Sequence, residues 1–148
     1  MLGKLSLQLR CLGEDPSIDM IGGLYGSGRL SFPLKKVQYL NSINITQMLF
    51  KFYFSTPGVL FKRELLNKTG LFPSNRRNSE EGIFFYKMVY WRNCVLVNQV
   101  LTKNVLGKND FVISGLTGQI HKQSFGELIN LRIIHKENII GIFQLYVL

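Results

Sequence analysis

The sequence predicts an α/β domain, because short apolar stretches that stop at glycine or proline alternate with longer stretches of helical periodicity. A length of 148 residues and an apolar fraction of 46% suit one domain with its own core. The chain contains no internal repeat, low-complexity stretch or flexible linker.

The elements follow in order. Leu2, Leu5, Leu9 and Leu12 recur at helical spacing and predict an amphipathic helix that ends near Gly13, with Glu14-Asp15-Pro16 as its turn. Ile18-Asp19-Met20-Ile21 alternates apolar and polar residues, so it reads as a short strand stopped by Gly22-Gly23. Tyr25-Gly26-Ser27-Gly28 reads as loop, and a helix is expected over residues 35–51. After Thr56-Pro57-Gly58, Val59-Leu60-Phe61 is a compact strand, and residues 62–68 suit a short helix with Gly70 as its C-cap. Residues 71–78 form a loop that turns polar after Phe72.

Ser79 is the expected N-cap of the next helix, with Glu80 and Glu81 in the first turn where the helix dipole favours anions. Phe84, Phe85, Met88, Val89 and Trp91 leave that helix apolar on most sides and hence buried. Cys94–Val97 is another strand, which Val100-Leu101 extends or follows, and residues 103–123 are loop-like. A final helical region starts near Ser124 and ends in the apolar run 139–148.

Eighteen Lys and Arg against nine Asp and Glu give a formal charge of +9, which attracts polyanions. The basic residues occur as scattered short pairs such as Lys35-Lys36, Lys62-Arg63 and Arg76-Arg77, the ordinary pattern of a solvated surface. Cys11 and Cys94 form neither a disulfide framework nor a zinc-ligand spacing and fit a reducing compartment. No stretch approaches the roughly 20 apolar residues of a membrane span, and the first residues lack the pattern of a secretory signal.

The sequence has no phosphate-binding Gly-x-x-x-x-Gly-Lys loop, no His-Glu-x-x-His and no Asp-x-Asp, and His121 and His135 have no partner at ligand spacing. The adjacent acids Glu80 and Glu81, in a chain poor in acids and just after the basic Arg76-Arg77, are the place where chemistry can sit. Two carboxylates there can include a general base, since a neighbouring charge and partial burial raise one pKa. Equally, acids in a first turn stabilise a helix by about 0.3–1 kcal/mol each with no other role.

Several segments, in order, resemble family-2 glycosyltransferases of the bacterial surface-polysaccharide type. Residues 7–23 are similar to the family's helix, "enP" turn and "vGG" strand end, and residues 56–63 to the strand before its acceptor region. Gly70-Leu71-Phe72 followed by Ser79-Glu80-Glu81 resembles its "GxF … ED" motif. Residues 98–102 look like its later "n.pL" strand, and residues 107–118 like a loop of one branch.

The resemblance implies an incomplete, Rossmann-like GT-A domain with a mostly parallel sheet, followed by C-terminal helices. Residues 1–123 would be the acceptor-side half, without the nucleotide-binding half, and residues 124–148 a C-terminal amphipathic helical segment. It implies that Glu81 is the catalytic base of an inverting sugar transfer, and that Ser79, Glu80 and Thr56 bind the acceptor. Here the second acid is Glu where the family often has Asp, and Gly82 follows where an aromatic often stands.

A divalent cation, Mg or Mn, is implied for the complete enzyme, together with a nucleotide-sugar donor and a glycan or lipid-linked acceptor. The cation's motif is not in this sequence, which predicts a truncated reading frame, a pseudogene remnant or an excised domain that neither binds donor nor turns over alone. The expected location is cytoplasmic, and the C-terminal segment either lies peripherally on the inner face of the plasma membrane or packs as a helix against the sheet. The competing expectation is a non-catalytic basic module for nucleic acid or an anionic membrane. Nucleic acid is disfavoured, because the aromatics sit in apolar runs rather than between cations as a stacking platform requires.

Overall fold

A computed structural model of the chain describes residues 3–26, 38–70, 72–73, 79–102 and 120–142. Leu2, Ser27-Gly28, the start of the helix expected at residue 35, Leu71, Arg76-Arg77, the loop 103–119 and the end of the apolar tail at 143–148 lie outside the described residues.

The order of elements is α1 (Gly3–Glu14), β1 (Met20–Tyr25), β2 (Leu40–Ser42), α2 (Ile45–Phe50), β3 (Leu60–Phe61), α3 (Leu66–Thr69), α4 (Glu80–Trp91), β4 (Cys94–Thr102) and α5 (Ile120–Lys136). The α/β class holds. Four strands form one mixed sheet in the order β2-β4-β1-β3. Only β1 and β4 run parallel, whereas β1 with β3 and β2 with β4 are antiparallel, so the mostly parallel sheet expected is corrected. Both edge strands are short and enter against their neighbours, and the parallel pair is the long central one.

The pleat of that central pair divides the core. Met20, Cys94 and Leu96 point into a large cluster with α2, α4 and α5, while Ile21 and Val95 join Cys11 and Ile18 beneath α1. Three layers result: α1, the sheet, and the α2–α4–α5 side.

β1 runs straight through Gly22-Gly23, which correct the expectation that they end it. A Cβ on Gly22 would lie 2.6 Å from the Phe54 ring, and one on Gly23 would lie 2.2 Å from Leu101 Cγ. These glycines serve close packing on both faces of a strand, rather than a turn. In β4, Asn98 and Gln99 fall between the partners of Gly23 and Leu24, so Val100-Leu101 extends the strand of Cys94–Val97 across a bulge.

α1 is rotated from the expected orientation. Leu5 and Leu9 are 55% and 54% exposed, and Gln8 and Cys11 are buried instead. Gln8 Nε2 donates to the carbonyls of Ile21 (3.1 Å) and Gly58 (2.9 Å), which ties this face of the helix to β1 and to the 3-10 turn Thr56–Gly58. Where a helix was expected over residues 35–51, Leu40–Ser42 is a strand and, among the described residues of that range, only Ile45–Phe50 is helical. Asn44 sets that start: its side chain accepts from Gln47 N while Gln47 returns a bond to Asn44 N, each at 2.9 Å.

α4 is enclosed over Gly82 to Tyr86, Met88 and Val89, which are all buried, but Trp91 at its end, expected inside, is 54% exposed. Phe84 meets Phe61 and Phe72 at centroid distances of 5.4 and 4.6 Å, and Phe85 stacks on Phe54 at 5.8 Å. α5 starts at Ile120, ahead of the expected Ser124, and Ile134, Ile139 and Ile140 join the same core cluster as α4.

Candidate functional site

The two acids at the start of α4 are placed by an unusual cap. Ser79 precedes the helix with φ 55° and ψ 25°, a left-handed conformation uncommon for a residue with a side chain. It does not cap α4 with its hydroxyl, as the sequence predicts. Instead Ser79 Oγ donates to the carbonyl of Gln123 on α5 at 3.1 Å, and the Ser79 carbonyl accepts from Asn130 Nδ2 at 2.8 Å. The opening of α4 is thus fixed by α5. Gly82 permits this approach, since a Cβ there would lie 2.4 Å from Asn130 Nδ2 and 2.8 Å from Glu127 Oε1.

Beside this junction lies a cleft of about 550 Å³ between the segment 48–52, the start of α4 and the start of α5. Glu81 and Ser79 line it, together with Phe50, Phe52, Tyr86 and Glu127. Glu80, half-buried on the first turn of α4, is not part of the lining. Thr56 is elsewhere: it is exposed in the 3-10 turn Thr56–Gly58 and also outside the cleft lining. Two of the four residues picked from the sequence therefore meet.

Glu127 is the group that the sequence reading missed. Its Oε2 accepts from Tyr86 OH at 3.3 Å and its Oε1 from Asn130 Nδ2 at 3.3 Å. Burial raises the Glu127 carboxyl above its usual range, and the charge of Glu81 adds to this, while bonds from Asn130, Ser79 and Tyr86 oppose it. Burial, then Glu127 itself, push the Tyr86 phenol up as well. Gly126, Asn130 and Ile134, spaced four apart on α5, are all buried, which puts Glu127 at the edge of that helix's inward face.

Chemically, two carboxyls, one phenol and exposed aromatic rings suit a polyhydroxylated ligand, whose hydroxyls take hydrogen bonds and whose C–H faces lie on rings. Among the described residues no three His, Cys, Asp or Glu side chains group closely enough to hold a metal ion. No helix among them is long and apolar enough to cross a membrane. No family model matches the chain, and neither a curated protein nor a solved structure shows significant similarity to it.

Proposed function

We propose that the chain is the acceptor-side part of a family-2-type glycosyltransferase, with Glu81 as the base that activates an acceptor hydroxyl. The observation that carries this reading is that Glu81, at the mouth of α4, lines an aromatic-walled cleft rather than facing open solvent. The order of family-like segments along the chain supports it.

In the complete reaction the Glu81 carboxylate takes the proton of the acceptor hydroxyl as that oxygen bonds to the anomeric carbon of a nucleotide sugar. The anomeric carbon–oxygen bond breaks on the opposite face, and the diphosphate leaves with the electron pair. A divalent cation would stabilise that departing charge in the complete enzyme. Glu81 stands in the first turn of α4.

The test is a nitrogen–proton NMR titration of the chain with methyl glycosides at millimolar concentration, and separately with a nucleoside diphosphate and Mn²⁺. Glycosides are expected to shift the amides of residues 79–82 and 123–127, and the nucleotide to shift none. Unmoved cleft amides in every glycoside titration would defeat the reading.

One observation favours a second reading, a module that docks on an anionic membrane. α5 turns Lys122, Phe125, Leu128, Arg132 and Lys136 outward at three- and four-residue spacing, with Phe125 64% and Leu128 57% exposed. Vesicle binding separates it from the first reading.

A further inference from the structure

Glu127 does no work in the reaction just described, yet the fold provides for it more carefully than for Glu81. It is a half-buried carboxyl whose hydrogen-bond partners, Tyr86 OH, Asn130 Nδ2 and the Ser79 side chain, are neutral. Asn130, which holds one of its oxygens, is fully buried and is itself anchored on the Ser79 carbonyl. Beneath both lies Gly82, where any side chain would displace the Glu127 carboxyl. A carboxyl taken out of water without a cation beside it is unfavourable, so such a group is expected where a ligand uses it.

We propose that Glu127 is a second acceptor-binding residue of this cleft, so that the acceptor sugar is held through two neighbouring hydroxyls, one at Glu81 and the next at Glu127. This rests on the reading of the cleft as a sugar-acceptor site. Tyr86 and Asn130 are positioning residues: each fixes one oxygen of Glu127 and so its direction into the cleft.

Burial raises the Glu127 carboxyl above its usual range, and the nearby Glu81 charge adds to this. The other titratable groups at the cleft are Tyr86 on α4, whose phenol stays neutral, and Lys51 after α2. Both carboxyls line the cleft, and each can hydrogen-bond one hydroxyl of a sugar. The substrate class is therefore a terminal sugar ring with adjacent free hydroxyls, lying against Phe50 and Phe52.

The experiment is NMR titration of the wild-type chain, Glu127→Gln and Tyr86→Phe with a methyl glycopyranoside and with its singly deoxygenated analogues. Proton–nitrogen spectra and urea midpoints establish that each variant keeps the fold. For wild type, removing one particular hydroxyl is expected to weaken binding about tenfold, the worth of one hydrogen bond in an enclosed site. In Glu127→Gln that same deoxygenation should cost less than twofold, because the partner has been altered, and Tyr86→Phe should fall between. If every deoxy sugar discriminates against Glu127→Gln as it does against wild type, Glu127 is structural and this proposal fails, while glycoside shifts at Glu81 still uphold the acceptor site. If no glycoside shifts the wild-type cleft, the acceptor reading itself fails and takes this proposal with it.

Discussion

A methyl group on Gly82 would stand 2.4 Å from the side-chain nitrogen of Asn130, the atom that bonds the Ser79 carbonyl. Gly82→Ala gains about 1 kcal/mol of helix propensity. It must also displace Asn130, which is fully buried, and leaving that amide without partners costs about 1–3 kcal/mol, with overpacking adding a similar amount. A net loss of about 2 kcal/mol is expected in urea unfolding. A stabilised variant would mean that Asn130 steps aside freely and does not clamp α4.

Ser79 combines a left-handed backbone with a hydroxyl bond to Gln123. Ser79→Gly relieves about 1 kcal/mol of backbone strain and loses a bond of similar worth, so its stability should match wild type. Ser79→Ala keeps the strain and loses the bond, and should fall about 1 kcal/mol below Ser79→Gly. Equal unfolding midpoints for the two variants would show that the φ of 55° carries no strain.

Gln8 sets the rotation of α1 through two buried bonds. Gln8→Ala removes both and leaves a cavity, and a loss of about 2–3 kcal/mol is expected from thermal or urea unfolding. Leu9→Ala, at an exposed position, should change stability by less than about 0.5 kcal/mol. The opposite ranking would restore the leucine stripe as the inward face.

These positions show which parts of the structure can be read in the sequence. α4 was legible, because an apolar run that covers most of a helix has nowhere to go but the core. Asn44 with Gln47 was a local signal that fixes a helix start, and it was passed over in favour of a longer helix. Gly22-Gly23 misled because a glycine stops a strand locally, whereas here the Phe54 and Leu101 side chains, distant in sequence, occupy the space. The rotation of α1 depends on the carbonyls of Ile21 and Gly58, which no helical period contains. Glu81 and Ser79 were found because two adjacent acids at a helix start stand out, and Thr56 came only from the resemblance. Glu127 went unnoticed because a single acid within a helix resembles a solvated one until α4 is laid against it.

The raised Glu127 carboxyl gives stability a pH dependence of definite sign. Its proton is held more tightly in the folded chain than in the unfolded one, so folding binds protons and stability falls as pH rises. The contribution is complete below the ordinary value of 4.5 and is lost as pH climbs through the higher folded value. Glu127→Gln should flatten this decline in urea midpoints measured from pH 4 upward. Glu81→Gln, by removing the second cause of the shift, should move the decline to lower pH. A decline unchanged in both variants would place its origin in other groups.

The outward face of α5 makes its own prediction. Lys122, Arg132 and Lys136 are exposed and form no ion pair among the described residues, where the ion pairs involve Lys62 and Lys87. Near an anionic surface each such cation is worth about 1 kcal/mol, so the three together amount to roughly a hundredfold in partitioning. Phe125 and Leu128 add apolar contact at the interface. The chain is expected to sediment with vesicles rich in phosphatidylglycerol at low salt, and to stay in solution with phosphatidylcholine vesicles. Reversing the three cations to Glu should abolish the sedimentation, and raising the salt to shorten the screening length should weaken it. Phe125→Ser with Leu128→Ser should weaken binding while leaving its salt dependence intact, since the charges remain. Sedimentation that persists in the charge-reversed variant, or occurs equally with neutral lipid, would remove this face as the docking surface. Because none of these residues lines the cleft beside Glu81, either result leaves the glycoside titration free to decide the catalytic reading by itself.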